Sequence, residues 1–433
     1  NKHKLQMKKN KFESIDLVIV NFYPFEETIK KTANNKKIVE NIDIGGPSIV
    51  RAAAKNFSDV TIVTNKNQYP ELIKEMNRNK GKTNLNFREK MANEAFNLTA
   101  YYDSIVAEWF NQKRGIKFPD KKTFFGKKLT NLRYGENPHQ NSSIYTTGLK
   151  DNKLGINKIS GKSLSYNNYN DIFAGLEILF SEKKLPTTVI IKHANPSGVS
   201  SNKSPIKSFK NSLASDPISA FGGIVACNFR INYQLASEIN KTFFEVIMAK
   251  GFDKKALRLF KKKKNMRVID ISKLKKNNNL SIKNFDNSFL LQERDTIIYN
   301  QKKLKFVTKI KPNATEIKQI EFAFRVCKFV KSNAIVIVKD HSTIGIGAGQ
   351  QNRLDSCRIA TQKARRFQTK KLLNSIAASD AFFPFADGVK SLINSGVKII
   401  VQPGGSIRDK EVIAFANKAK IKMVFTGIRH FNH

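Results

Sequence analysis

Two periodicities run along the chain. From Phe87 to Trp109 the apolar residues Phe87, Met91, Ala95, Leu98, Tyr102, Ile105 and Trp109 recur every three or four positions, which predicts one long amphipathic helix. On either side of it the pattern shortens. IDLVIVNFYPF (Ile15 to Phe25), a β-rich run closed by a proline turn, and DVTIVTN (Asp59 to Asn65) predict strands. Between them Pro47 follows two glycines and suits the first turn of a helix reaching about Asn56.

A connector rich in lysine, glycine and proline covers roughly Gln112 to Lys128 and marks a domain boundary. Beyond it TTVIIKH, AIVIVKD, VKIIVQPGG and KMVFTG are short β-branched runs, each flanked by helical patterns. That alternation predicts packed α/β layers. The stretch from about Lys254 to Lys311 is lysine-rich with weak periodicity and reads as surface insertion or connector. In VIIKHANPSGV (Val189 to Val199) the strand is expected to end on Lys192 and His193, with Asn195, Pro196, Ser197 and Gly198 forming the turn.

Composition changes this picture little. At 433 residues the chain is long enough for two or three cores, and it holds no run of about 18 apolar residues. The three cysteines (Cys227, Cys327 and Cys357) are far apart and lack CxxC spacing, which points to a reducing compartment, the cytoplasm, and away from a disulfide framework or a zinc site. The net charge of +42 suits an anionic partner. Its lysine runs, however, carry little arginine and no interleaved aromatics, so a nucleic-acid-binding role is the weaker reading.

Chemistry concentrates in a few segments. RYGENPHQ (Arg133 to Gln140) is either a solvated loop or an anion site in which Arg133 offers its planar fork to phosphate. In IGIGAGQQNR (Ile344 to Arg353) the third glycine falls one residue early for a dinucleotide loop; the alternation suggests a strand whose small residues admit a ligand or another backbone. SDAFFPFADG (Ser379 to Gly388) reads as a core turn, or as an aromatic platform with an aspartate at its rim. SAFGG sets Phe221 beside two glycines. The pair Lys192–His193 is structural or catalytic; a neighbouring ammonium favours the neutral imidazole, which accepts a proton.

Read together, IVENIDIGGPSIVRAAAKN, RYGENPHQ, SLSYNN, IKHANPSGV, DPISAFGG, KFVKSNAIV, IGIGAGQQNR, SDAFFPF, QPGGSIRD and RHFNH resemble, in order and over nearly the whole chain, the bifunctional AICAR transformylase/IMP cyclohydrolase family of purine biosynthesis. The resemblance implies an α/β protein. Residues 1–120 would belong to a parallel-sheet domain similar to methylglyoxal synthase. Residues 121–433 would form a transformylase part of two subdomains, dividing at roughly 310–330, each similar to a cytidine deaminase fold without zinc. It further implies transfer of a formyl group from 10-formyltetrahydrofolate to the 5-amino group of AICAR, no metal, and a homodimer without nucleic-acid or membrane partners.

Residue by residue, the resemblance makes His193 the general base, Lys192 its partner and Asn333 a substrate-bonding amide. Arg133, Tyr134, Gly222, Glu245, Arg353, Phe382 and Arg429 match nucleotide positions; Leu354, Asp387, Ser406 and Ile407 match the folate side. Asn21, Tyr23, Asp43, Ile44 and Lys55 match part of the cyclohydrolase site, with Lys55 as proton donor. The family also carries a first strand, a helix and a phosphate loop ahead of where this chain begins, so the polypeptide as given is expected to lack cyclohydrolase activity. Ala386 and Ser197 depart from the family's usual arginine and cysteine. A lyase made of the N-terminal part alone would leave the later motifs unexplained.

Overall fold

A computed structural model describes residues 2–147, 154–274 and 280–433. It forms two compact units: residues 1–131 with 143–154, and residues 132–142 with 155–433.

In the smaller unit β1 (Leu17–Ile19) and β2 (Thr61–Val63) pair in parallel, Leu17 opposite Thr61. The expected strand over Ile15–Phe25 stops early. Pro24 precedes a helix, Phe25–Lys31, with Glu26 and Glu27 in its first turn where they meet the positive end of the helix dipole. Phe25 is buried edge-on against Tyr102 and Trp109. The long predicted helix runs over Leu85–Arg114; the Asn84 side chain caps its start and Gly115, at φ +69°, ends it. Phe87, Met91, Ala95, Tyr102 and Ile105 are its buried face, as the period required. Phe87, Met91 and Ala95 pack with Val50, Ala53 and Ala54 of the helix Gly45–Lys55, while Tyr102 and Ile105 pack with Phe25 and Ile38. β3 (Lys127–Asn131) and β4 (Ser143–Thr146) form an antiparallel pair.

The larger unit is built on one twelve-stranded sheet. Its strands are β5 (Asn157–Ser160), β6 (Thr187–Lys192), β7 (Asn195–Ser201), β8 (Ile224–Cys227), β9 (Val246–Ala249) and β10 (Arg267–Asp270). A separate hairpin of β11 (Leu280–Phe285) and β12 (Ser288–Glu293) follows. The sheet then takes β13 (Lys305–Phe306), β14 (Ile335–Lys339), β15 (Ser342–Gly347), β16 (Ser375–Ser379), β17 (Val397–Gln402) and β18 (Lys422–Phe425).

The order β13-β18-β17-β16-β14-β15-β7-β6-β8-β9-β10-β5 repeats itself outward from the central antiparallel contact of β15 with β7. On each side a hairpin comes first, then an antiparallel strand, two parallel additions and an antiparallel edge. Helices Tyr166–Ser181 and Ala314–Cys327 precede the two hairpins at matching places. This is the mixed α/β architecture that the alternation predicted, organised as two halves.

Two expectations are corrected. Asn195-Pro196-Ser197-Gly198 is not a turn but the start of β7; Ile190 pairs with Gly198 and Lys192 with Asn195. The turn is His193–Ala194, at φ +52° and +58°. A two-residue hairpin that follows the twist of its strands needs positive φ at both central positions, normally met by Asn-Gly. Sheet pairing on both flanks enforces it here without glycine.

The stretch Lys254–Lys311 is not all surface. The helix Lys254–Lys261 fully buries Ala256 and Phe260, and β10 inserts Val268 and Ile269 between β9 and β5. Lysines on the outer face had masked that apolar period. The hairpin β11–β12 is largely exposed, as a surface insertion would be. Residues 275–279 of this stretch lie outside the described residues.

Candidate functional site

In the larger unit the Lys192–His193 pair stands where β6 turns into β7. His193 is exposed at the turn, while Lys192 folds back so that Nζ donates to the Gly222 carbonyl at 3.1 Å. Gly222 adopts φ +68°, and a Cβ there would lie 3.1 Å from that ammonium. Its N–H donates to Phe243 O, and the Glu245 N–H donates to Gly223 O, which brings Glu245 alongside. Lys192, Gly222 and Glu245, far apart in sequence, are thus one cluster at the ends of β6, β8 and β9.

The helix Tyr166–Ser181 organises what surrounds it. Ser165 caps it through the Asn168 N–H. Asn168 then donates from Nδ2 to Glu245 Oε2 at 3.0 Å, and Asn167 donates to Glu136 O at 3.1 Å. The second bond ties RYGENPHQ to the same helix end. Within that loop Gly135 N–H meets Gln140 O, Asn137 N–H meets Gln140 Oε1 and the Ser142 hydroxyl meets Tyr134 O. Its polar density is therefore mostly self-satisfied. Arg133 remains exposed, its guanidinium over the Tyr134 ring at 5.5 Å. One turn further along, Asp171 Oδ1 accepts the Ala194 N–H at 2.6 Å.

The second half reaches the same end of the sheet through the start of β14. Lys331 N–H donates to Asn195 Oδ1 at 3.0 Å, which ties the segment leading to Asn333 to the start of β7. Arg353 is buried and held by three side chains. Its Nη1 bonds Asp380 Oδ1 and, at 2.8 Å, Ser379 Oγ; its Nη2 donates to Asn333 Oδ1 at 2.7 Å. Asn333 Nδ2 donates to the Gln350 and Gln351 carbonyls at 2.9 and 3.1 Å. Both ends of this amide are held by the protein, leaving an oxygen lone pair.

Asp380 is wholly buried rather than at an aromatic rim, because it is the counter-charge of Arg353 and also accepts the Ser332 hydroxyl at 2.5 Å. Around it, Phe383 is core and Phe382 partly exposed. Arg408 lies over the Phe385 ring at 4.7 Å, which sets Ser406 and the exposed Ile407 beside the segment carrying Asp387. Leu354 follows Arg353 on its helix and is half-buried. Arg429 is exposed over Phe431 at 4.4 Å, next to His430, whose N–H donates to Asp380 O.

In the smaller unit Asp43 is buried and accepts the Tyr23 N–H at 3.1 Å and the Gly46 N–H at 2.7 Å. Tyr23, Ile44 and Asn21 are exposed near it. Lys55 is not brought to them: it ends the helix Gly45–Lys55, about 15 Å away by helical rise.

Sequence reasoning did not single out Asn167, Asn168, Asp171 or the burial of Asp380. The signal for the first three was present in SYNNYND, four amides and acids at the start of an otherwise amphipathic helix. The arrangement as a whole is that of an enzyme: an α/β protein whose mixed sheet gathers a lysine, a histidine, a held amide and a carboxylate at one end.

Comparison with known proteins narrows the class. Residues 53–363 match the family model described as AICARFT/IMPCHase bienzyme. The chain is 43% identical over its whole length to the bifunctional purine biosynthesis protein PurH of Bradyrhizobium diazoefficiens, covering 83% of that protein. It is 44% identical to proteins of the same name from Parvibaculum lavamentivorans and Persephonella marina, covering 82% and 84% of them. The chain belongs to the AICARFT/IMPCHase bienzyme family.

Proposed function

We propose that the larger unit transfers the formyl group of 10-formyltetrahydrofolate to the 5-amino group of AICAR, in the purine pathway to IMP. The observation that carries this reading is the hairpin turn that sets His193 at the sheet end where Lys192, Glu245 and Asn333 converge. The amine attacks the formyl carbon, His193 takes the proton it releases, and as the tetrahedral oxyanion collapses that proton passes to the folate nitrogen, which leaves protonated. The amine is conjugated and weakly nucleophilic, so proton removal and oxyanion support each contribute several kcal/mol at most.

Lys192 supports the developing charge, and the open lone pair of Asn333 Oδ1 meets a substrate N–H. Arg133, Tyr134, Gly222, Glu245, Phe382 and Arg429 contact the nucleotide; Arg353 acts through Asn333. Leu354, Asp387, Ser406 and Ile407 form the folate side. The two halves correspond to the pair of deaminase-like subdomains, the working form is a cytoplasmic homodimer, and no metal enters the chemistry. In the smaller unit Asn21, Tyr23, Asp43 and Ile44 form the cyclohydrolase cluster, and Lys55, at the far end of the helix Gly45–Lys55, stands apart from it.

The test is direct. The protein, AICAR and 10-formyltetrahydrofolate are expected to yield formylated AICAR and tetrahydrofolate in equal amounts. Absence of both products would overturn the reading.

A further inference from the structure

Both halves of the larger unit clamp a hairpin turn from the preceding helix, and the two clamps differ in charge. In the second half the Asp340 N–H donates to Gln319 Oε1 at 2.8 Å. In the first half the Ala194 N–H donates to Asp171 Oδ1 at 2.6 Å. Each clamping residue stands five positions after the first residue of its helix, 314 to 319 and 166 to 171. The lysines that end the two strands also match. Lys339 Nζ donates to the Asn374 carbonyl at 2.9 Å and Lys192 Nζ to that of Gly222 at 3.1 Å, each just ahead of the next strand. Both turns hold two non-glycine residues at positive φ.

In the second half a neutral amide holds such a turn through the N–H of its first residue, Asp340, where Asp171 takes that of the second, Ala194. Asp171 adds what the turn does not require: a half-buried carboxylate that bonds the residue after His193 and whose charge interacts with Lys192 and His193. Burial lifts its pKa above the usual aspartate value, opposed by the Ala194 N–H and by His193 and Lys192.

We propose that Asp171 is a positioning residue for formyl transfer: it fixes the turn that presents His193 and supplies the negative charge against which the Lys192–His193 pair works. This rests on the reading of His193 as the base. The test compares Asp171→Asn, Asp171→Gln and Asp171→Ala with His193→Ala, reading denaturation midpoint, kcat, KM for AICAR and the pH profile of kcat/KM.

Asparagine keeps an acceptor for the Ala194 N–H. Its midpoint and KM are expected to stay near wild type while kcat falls about tenfold and the acid limb moves to lower pH, because a lost carboxylate disfavours imidazolium. Asp171→Gln, copying the second half, is expected to behave alike, and Asp171→Ala to lose about a hundredfold in kcat. Wild-type kcat in Asp171→Asn, or a lowered kcat with an unmoved acid limb, overturns the proposal. His193→Ala separates the two claims. If it turns over normally, the base assignment fails; if it is inactive while Asp171→Asn is normal, only the role of Asp171 fails.

Discussion

Asn333 has its amide oriented before any substrate arrives, and the orientation comes from a buried charge. Arg353 reaches it only because Asp380, without solvent exposure, neutralises the guanidinium from behind. A buried pair of this kind adds little net stability, but removing one member strands the other. Asp380→Ala is therefore expected to lower the unfolding free energy by about 3–5 kcal/mol and to reduce kcat with it. Urea denaturation read against the wild-type midpoint checks the first effect. Asn333 and Arg353 were legible through the motifs that carry them. Asp380 was visible as a residue but not as a buried one, since nothing in SDAFFPFADG states that an arginine 27 positions away points at it.

At the scale of elements, close helix–strand packing was the best-read feature. The alternation in IGIGAG suggests small residues that admit a ligand or another backbone; the backbone is what they meet, since a Cβ on Gly345 or Gly347 would lie 2.1 Å from Ala360 O or 2.0 Å from Ser356 O. The first half repeats the device, with Gly198 against Ser212 O at 1.9 Å. Gly345→Ala and Gly198→Ala are each expected to cost about 1–3 kcal/mol, because a helix must move off its strand. Thermal unfolding of either variant at or above the wild-type midpoint would contradict that packing. The hairpin turn was the element misread. Asn-Pro-Ser-Gly has turn composition and His-Ala has none, yet pairing of β6 with β8 and of β7 with β15 overrides local preference.

Across the larger unit the halves meet along a hydroxyl-lined seam rather than a purely apolar one. The Ser200 and Ser342 hydroxyls lie 2.8 Å apart, and Thr343 accepts the Val199 N–H at 2.9 Å. Beyond the sheet, Lys363 of the second half pairs with Asp216 of the first at 2.8 Å. Burial pushes the Asp216 carboxyl upward, but Lys363 and the N–H and hydroxyl of Ser219 outweigh it, so its pKa lies below the ordinary aspartate value. A depressed carboxylate stabilises the fold above its unfolded pKa and loses that contribution as pH falls through the folded one. Wild type is therefore expected to be more stable than Asp216→Asn at pH 7, with the gap closing as pH falls below the ordinary aspartate range. A gap that widens on acidification would contradict the pairing. None of this seam was legible beforehand, because serines and threonines carry no period and their partners lie more than a hundred residues apart.

The central claim is that the histidine on this turn takes the amine proton. Its most direct test is kcat of His193→Ala at saturating AICAR and 10-formyltetrahydrofolate, with AICAR binding measured alongside. A loss of about 10²–10⁴-fold in kcat with binding retained is the expected result. Turnover equal to wild type would contradict it.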